Sequence, residues 1–199
     1  MNIPSLSACC ALLLAAATCP ALAAPATRQS AEEPKGSFSF TRDFAQAKTY
    51  GQGPHRYRMI LRHPQNGTPL ANQDYALSHS SVDLSFVAEP KKVFQGTTDA
   101  QGRTAVFAFG KPVPAAGWNL RPRTGSGPLG EQMVVRDDEG PMKDFHYALL
   151  VCEGDTPYIY RGITDASGQT AYVATVKPAN ITLYADGDQP MGSNACTEE

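Results

Sequence analysis

The chain has 199 residues, a formal net charge of −2, and 42% hydrophobic against 18% charged residues. A near-neutral balance without a basic stripe excludes a nucleic-acid binder that works by neutralising phosphates, and equally a polybasic membrane patch. Beyond residue 30 nothing approaches the ~20 consecutive apolar residues of a membrane helix, so no transmembrane segment is expected.

Residues 1–23 have the layout of a cleavable signal peptide: no charged side chain precedes Arg28, an apolar run covers Ala8 to Thr18, and Pro20 leads into small residues. Ala21-Leu22-Ala23 meets the small-x-small rule and places cleavage before Ala24, although no Lys or Arg stands ahead of the apolar run. Neither Cys9, which comes before most of that run, nor Cys19, which follows Thr18 where a small residue is needed, suits a lipid anchor. A periplasmic or secreted protein is therefore expected. Such a protein keeps Cys152 and Cys196, and an even pair in an oxidising compartment reads as one disulfide.

Residues 24–54 are polar and rich in Pro, Ser and Gly at their two ends, which predicts a flexible tether. Within it Phe38, Phe40 and Phe44 could add a strand or a short helix to the first domain. From residue 55 the pattern is strand and turn. "YRMILRH" stops at Pro64, "QNGT" is an Asn-Gly turn signal, and "DYALS", "SVDLSFV", "KVFQGT" and "RTAVFAF" are short runs bounded by turn residues. Alternation at Val82, Leu84 and Phe86, with breaks every eight to twelve residues, predicts an all-β Greek-key sandwich and no sustained helix.

The second half repeats the order of the first. "ILRHPQNGTPLANQDYAL" lines up with "VVRDDEGPMKDFHYAL", matching Arg62 to Arg136, Gly67 to Gly140 and the two "YAL" triplets. Further on, "TTDAQGRTAVF" returns as "ITDASGQTAYV", so that Gly96, Thr98, Asp99, Gly102 and Thr104 match Gly162, Thr164, Asp165, Gly168 and Thr170. Two tandem sandwich units are expected, residues 55–121 and 132–199, with the Gly- and Pro-dense stretch 122–131 as the linker and the disulfide in the second unit.

In T-D-A-x-G-x-T the Asp side chain accepts hydrogen bonds from backbone N–H groups two residues on, and the Gly takes the left-handed conformation of a tight reversal. Asp99, Gly102, Asp165 and Gly168 are thus read as structural corners. A calcium reading fails on donor count, because one carboxylate per corner is far from a cation's oxygen shell. His55, His63, His79 and His146 lack zinc spacing and read as solvated or hydrogen-bonded surface groups, and "ADGDQ" at 185–189 reads as a turn. No cofactor or metal is expected. Candidate partner contacts are the acidic tip Arg136, Asp137, Asp138 and Glu139, and Trp118, which alternatively fills the first core.

The order G-x-T-D-x-x-G-x-T, an apolar strand, and a second strand after a Gly or Asn corner ("AAGWNLRP", "PANITLYA") resembles the transthyretin-like, or prealbumin-like, sandwich. Carboxypeptidase regulatory-like domains share it, and "NGTPLANQDYAL" is most similar to the transthyretin-like extensions of bacterial secretion spike proteins. The resemblance implies a non-catalytic docking module or spacer with a protein partner, an accessory or neutralising component of a secretion or competition system. The same superfamily holds the 5-hydroxyisourate hydrolases, which would implicate His63, Arg103 and the "YRG" at Tyr160–Gly162. Here "YRG" lies mid-chain and is followed by Ile163 where the family has Ser.

Overall fold

The computed structural model describes residues 37–84, 93–189 and 195–196; the expected signal peptide, the first part of the expected tether and Phe86 lie outside them. The described residues form strands and no helix. In chain order the strands are β1 (Phe38–Phe40), β2 (Thr49–Gly51), β3 (His55–Tyr57), β4 (Met59–Leu61), β5 (Asp74–His79), β6 (Phe94–Thr97), β7 (Val106–Phe109) and β8 (Trp118–Gly125). They continue with β9 (Leu129–Glu131), β10 (Arg136–Asp137), β11 (Gly140–Pro141), β12 (His146–Glu153), β13 (Thr156–Ile163), β14 (Tyr172–Thr175) and β15 (Asn180–Ala185). Among the described residues there is no helix long and apolar enough to cross a membrane.

Side-chain alternation sorts the strands onto two buried clusters. Met59, Leu61, Tyr75, Leu77, Phe94, Phe107, Trp118 and Leu120 meet in the first, and their rings pack edge-on, Phe107 against Phe94 at 5.0 Å and Phe40 against Trp118 at 6.3 Å. Tyr147, Leu149 and Val151 of β12 and Val173 of β14 form the second, flanked by Tyr160, Ile181 and Leu183. One five-stranded sheet, ordered β6-β5-β8-β14-β9, runs beside both clusters. Its middle joint is the parallel pair β8–β14, with Tyr172 opposite Arg123 and Ala174 opposite Gly125. A three-stranded sheet, β13-β12-β15, closes the second cluster.

Two expected boundaries move. The tether does not extend to residue 54, because β1 pairs with β4, Phe38 is buried, and β2 pairs in parallel with β7. The apolar side chains Phe38, Phe40 and Tyr50 contribute to the first cluster, and the Gly-Pro stretch after them is only the turn into β3. The stretch 122–131 is likewise no free linker: β8 continues to Gly125, and β9 pairs with β14. Its glycines serve close approach. A Cβ on Gly125 would stand 2.3 Å from the Ala174 carbonyl oxygen, and one on Gly127 2.1 Å from that of Thr175.

Candidate functional site: two matched corners and the cleft beside the second

The repeated turn carries the same bonds twice. Asp99 Oδ1 accepts the N–H groups of Gln101 and Arg103, both at 2.9 Å, while Asp165 Oδ1 accepts those of Ser167 at 2.8 Å and Gln169 at 3.0 Å. Gly102 and Gly168 have φ of 73° and 72°, a region that costs a side chain strain. Thr98 accepts the Gln73 N–H and donates to the Leu70 carbonyl; Thr164 accepts the Phe145 N–H and donates to that of Met142. Thr104 and Thr170 accept the N–H of Met59 and of Met133, each at 3.1 Å.

A tyrosine locks each corner from the neighbouring strand. Tyr75 sits directly across from Gly96, and Tyr147 from Gly162. A Cβ on those glycines would lie 2.7 Å from the Tyr75 hydroxyl and 2.4 Å from that of Tyr147, so glycine is what lets each ring lie flat over the partner strand. The hydroxyls then accept the N–H of Ala105 at 3.3 Å and of Ala171 at 2.8 Å. Burial pushes both phenols up, against the opposing effect of those backbone bonds.

The corners differ at the second carboxylate oxygen. Asp99 Oδ2 is held by Arg58 at 2.9 Å and by Arg103 Nε at 2.7 Å, and Arg103 also reaches Asp43. Burial works to raise the Asp99 carboxyl, but the Arg103 N–H, the Arg103 guanidinium and the Gln101 N–H hold it below the ordinary carboxylate value. In the second corner the places of both arginines are taken by glutamines. Gln132 precedes Met133 as Arg58 precedes Met59, and donates to the Thr170 carbonyl at 2.9 Å as Arg58 donates to that of Thr104 at 2.8 Å. Gln169 stands in place of Arg103. Asp165 Oδ2 has no hydrogen-bond partner among the described residues; the cation beside it is Arg121 of β8, with an N···O distance of 3.4 Å. Both side chains are 5% exposed. Arg121 also donates through Nε to Gln169 Oε1 at 2.6 Å and through a terminal nitrogen to the Leu120 carbonyl at 2.8 Å. Burial lowers its pKa and Asp165 opposes that.

A cleft of about 370 Å³ opens beside this second corner, with His63, Arg121, Arg123, Tyr147, Arg161 and Asp165 among its walls. Each of its arginines has a carboxylate: Arg123 meets Asp74 at 2.7 Å and Arg161 meets Asp186 at 2.9 Å. A smaller cavity of about 240 Å³ lies at the first corner, between Lys48, Arg58, Asp99 and Arg103. His63 and Arg103 therefore face different cavities, whereas His63 and Arg161 share one.

The remaining expected site residues are dispersed over the molecule. Cys152 and Cys196 are bonded, with Cα atoms 5.6 Å apart. Trp118 is 5% exposed and packs in the first cluster, so it is not a surface anchor. His79 is buried against it at 5.0 Å instead of being solvated, because its Nδ1 accepts the Ser81 N–H. Arg136, Asp137, Asp138 and Glu139 are exposed on the β10–β11 hairpin, where Asp137 caps the turn by accepting the N–H groups of Glu139 and Gly140. Asp186 pairs with Arg161. Among the described residues no three His, Cys, Asp or Glu side chains come together to hold a metal.

Residue-by-residue reading missed Arg58, Arg121 and the two tyrosine hydroxyls. A signal existed: both arginines of the first copy become glutamine in the second while the Asp stays, which asks for a cation from elsewhere. Among the described residues the exposed large apolar side chains are Leu129, Val134, Tyr158 and Val176, and Leu129 pairs with Thr175, next to Val176. Comparison of the chain with protein families, curated proteins and solved structures finds no match.

Proposed function

We propose that the protein is an exported, non-catalytic protein-binding module of the bacterial cell envelope, built from two tandem transthyretin-like sandwich units and acting as an accessory or neutralising partner in a secretion or competition system. The observation that carries this reading is the edge strand β13. It is eight residues long, pairs on one side with β12, and among the described residues has no strand on its other side. Tyr158 stands out from it at 46% exposure. Long edges offer a row of unpaired backbone groups, and proteins that do not use them blunt or cover them. Strand addition with an aromatic anchor is a recurring mode of protein recognition. The Asp corners fit the reading as well, since all four of their carboxylate oxygens face backbone N–H groups or arginines.

The test is a photo-crosslinking residue placed at position 158 and, as a control, at Lys111 on the opposite half, in the exported protein. Capture of one specific protein at 158, lost in Tyr158→Lys with stability unchanged, supports the reading. Equal labelling at both positions, or none at either, leaves a passive envelope spacer as the better account.

A second reading has one observation in its favour, the shared cavity of His63 and Arg161. A hydrolase of the 5-hydroxyisourate type would turn over its substrate and lose that activity in His63→Gln. Absence of turnover by the native protein removes it.

A further inference from the structure

We propose that the Asp165–Gln169 corner is a guanidinium-receiving site and that its resident occupant, Arg121, is what fastens the second half of the chain to the first. The receiving groups are Asp165 Oδ2, at 3.4 Å, and Gln169 Oε1, which takes the Nε of Arg121 at 2.6 Å. Gln132 Nε2 donates to the same Gln169 oxygen at 3.3 Å, so the amide is turned with its acceptor toward the arginine. Asp165 cannot be left alone: at 5% exposure an uncompensated carboxylate is far costlier than a paired one.

The matched strands make the arrangement directional. In the first half Ala76 of β5 faces Arg121 of β8; in the second half the corresponding pair is Ala148 of β12 and Tyr184 of β15. Among the described residues the second half therefore holds a receiver and, at the matching position, no donor. The first half holds a donor, and its own corner is already filled by Arg58 and Arg103. One donor meets one receiver. The parallel β8–β14 pair sets the register in which they meet.

The cleft lined by Arg121 and Asp165 gives a free cation a route to the corner. The experiment is chemical rescue in the full exported chain. Urea unfolding is followed by fluorescence of Trp118, the single tryptophan, which sits in the first cluster, and by near-ultraviolet circular dichroism, to which the tyrosines of the second cluster contribute. Wild type is expected to show one transition by both probes. Arg121→Ala should separate them, with the folding equilibrium of the second half reduced about a hundredfold or more, as when one partner of a buried pair is removed. Ethylguanidinium at millimolar concentration should restore the second transition in Arg121→Ala and leave wild type unmoved. Adding Asp165→Asn to Arg121→Ala should abolish that rescue. If Arg121→Ala does not fold, Arg121→Met with Asp165→Asn is the second variant, and because no buried charge is orphaned it should lose much less than Arg121→Met alone. Coincident, unshifted transitions in Arg121→Ala, rescue that persists without Asp165, or purely additive losses in the double variant would each overturn the proposal.

Discussion

Gly162→Ala probes the tyrosine lock most directly. The added Cβ would sit 2.4 Å from the Tyr147 hydroxyl and 2.5 Å from its Cζ, about 1 Å short of ordinary contact between such atoms. The ring is buried and its neighbours include Leu149, Val151 and Val173, so it has little room to retreat. Overpacking of this kind costs about 1–3 kcal/mol. Any retreat also lengthens the 2.8 Å bond from the Ala171 N–H, and a buried donor left without an acceptor costs about 1–3 kcal/mol more. Removing a strand glycine returns about 0.5–1 kcal/mol. A net loss of about 3 kcal/mol is expected, measured by urea denaturation.

Combination with Tyr147→Phe separates the two costs. In that background the Ala171 bond is already absent, so Gly162→Ala should cost less by the value of the bond, about 1–3 kcal/mol. Gly96→Ala should be milder, since its contact is 2.7 Å and the Ala105 bond is 3.3 Å. Gly110→Ala, where an added Cβ meets nothing within 4 Å, is the control and should change stability by no more than about 0.5 kcal/mol. A neutral Gly162→Ala, or strict additivity with Tyr147→Phe, would refute the lock.

Replacing Cys152 and Cys196 by Ser opens a link between residues 44 apart and should cost about 4 kcal/mol on the chain-entropy model, read as a lower urea midpoint in the non-reduced protein. Trp118→Phe should cost under about 1.5 kcal/mol, because the indole Nε1 has no hydrogen-bond partner among the described residues to lose, whereas Trp118→Ala should cost about 3–5 kcal/mol. Asp99, held below the ordinary carboxylate value, contributes stability that is complete above its unfolded pKa and is lost as pH falls through the lower folded value. Acid titration of stability should therefore be steeper in wild type than in Asp99→Asn.

The all-β class was legible because alternation and turn residues are local signals. Val106, Phe107 and Ala108 of β7, and Tyr75 and Leu77 of β5, lie buried in strands where short apolar runs were bounded by Gly, Asn and Pro. Asp99, Gly102, Asp165 and Gly168 were legible for the same reason, since an Asx turn closes within four residues. What escaped was whatever depends on a partner far along the chain. Phe38 could be read as strand or short helix and Tyr50 only as tether, because their strands are three residues long and pair with β4 and β7. The glycines at 125 and 127 looked like flexibility, and their need is set by carbonyls of residues 174 and 175, about fifty positions away. Trp118 posed a choice between surface and core that composition cannot make.

The corners share one backbone problem and solve its electrostatics differently. At the first, the carboxylate and its cations are close kin: Arg103 is four residues from Asp99, and Arg58 enters from β4's own approach to the same hairpin. Closing that hairpin brings Arg103 to the carboxylate, and Arg58 joins it from the segment leading into β4. At the second, glutamines keep the shape and the carbonyl contacts but bring no charge, and Arg121 must arrive from β8, on the far side of the β8–β14 joint. The second corner is thus complete only when the first half stands in place, while the first needs nothing from the second. An exchange that makes the second half weaker alone also makes its attachment specific, because a buried Asp165 accepts one register of β8 against β14 and penalises a slip that moves Arg121 to the other face.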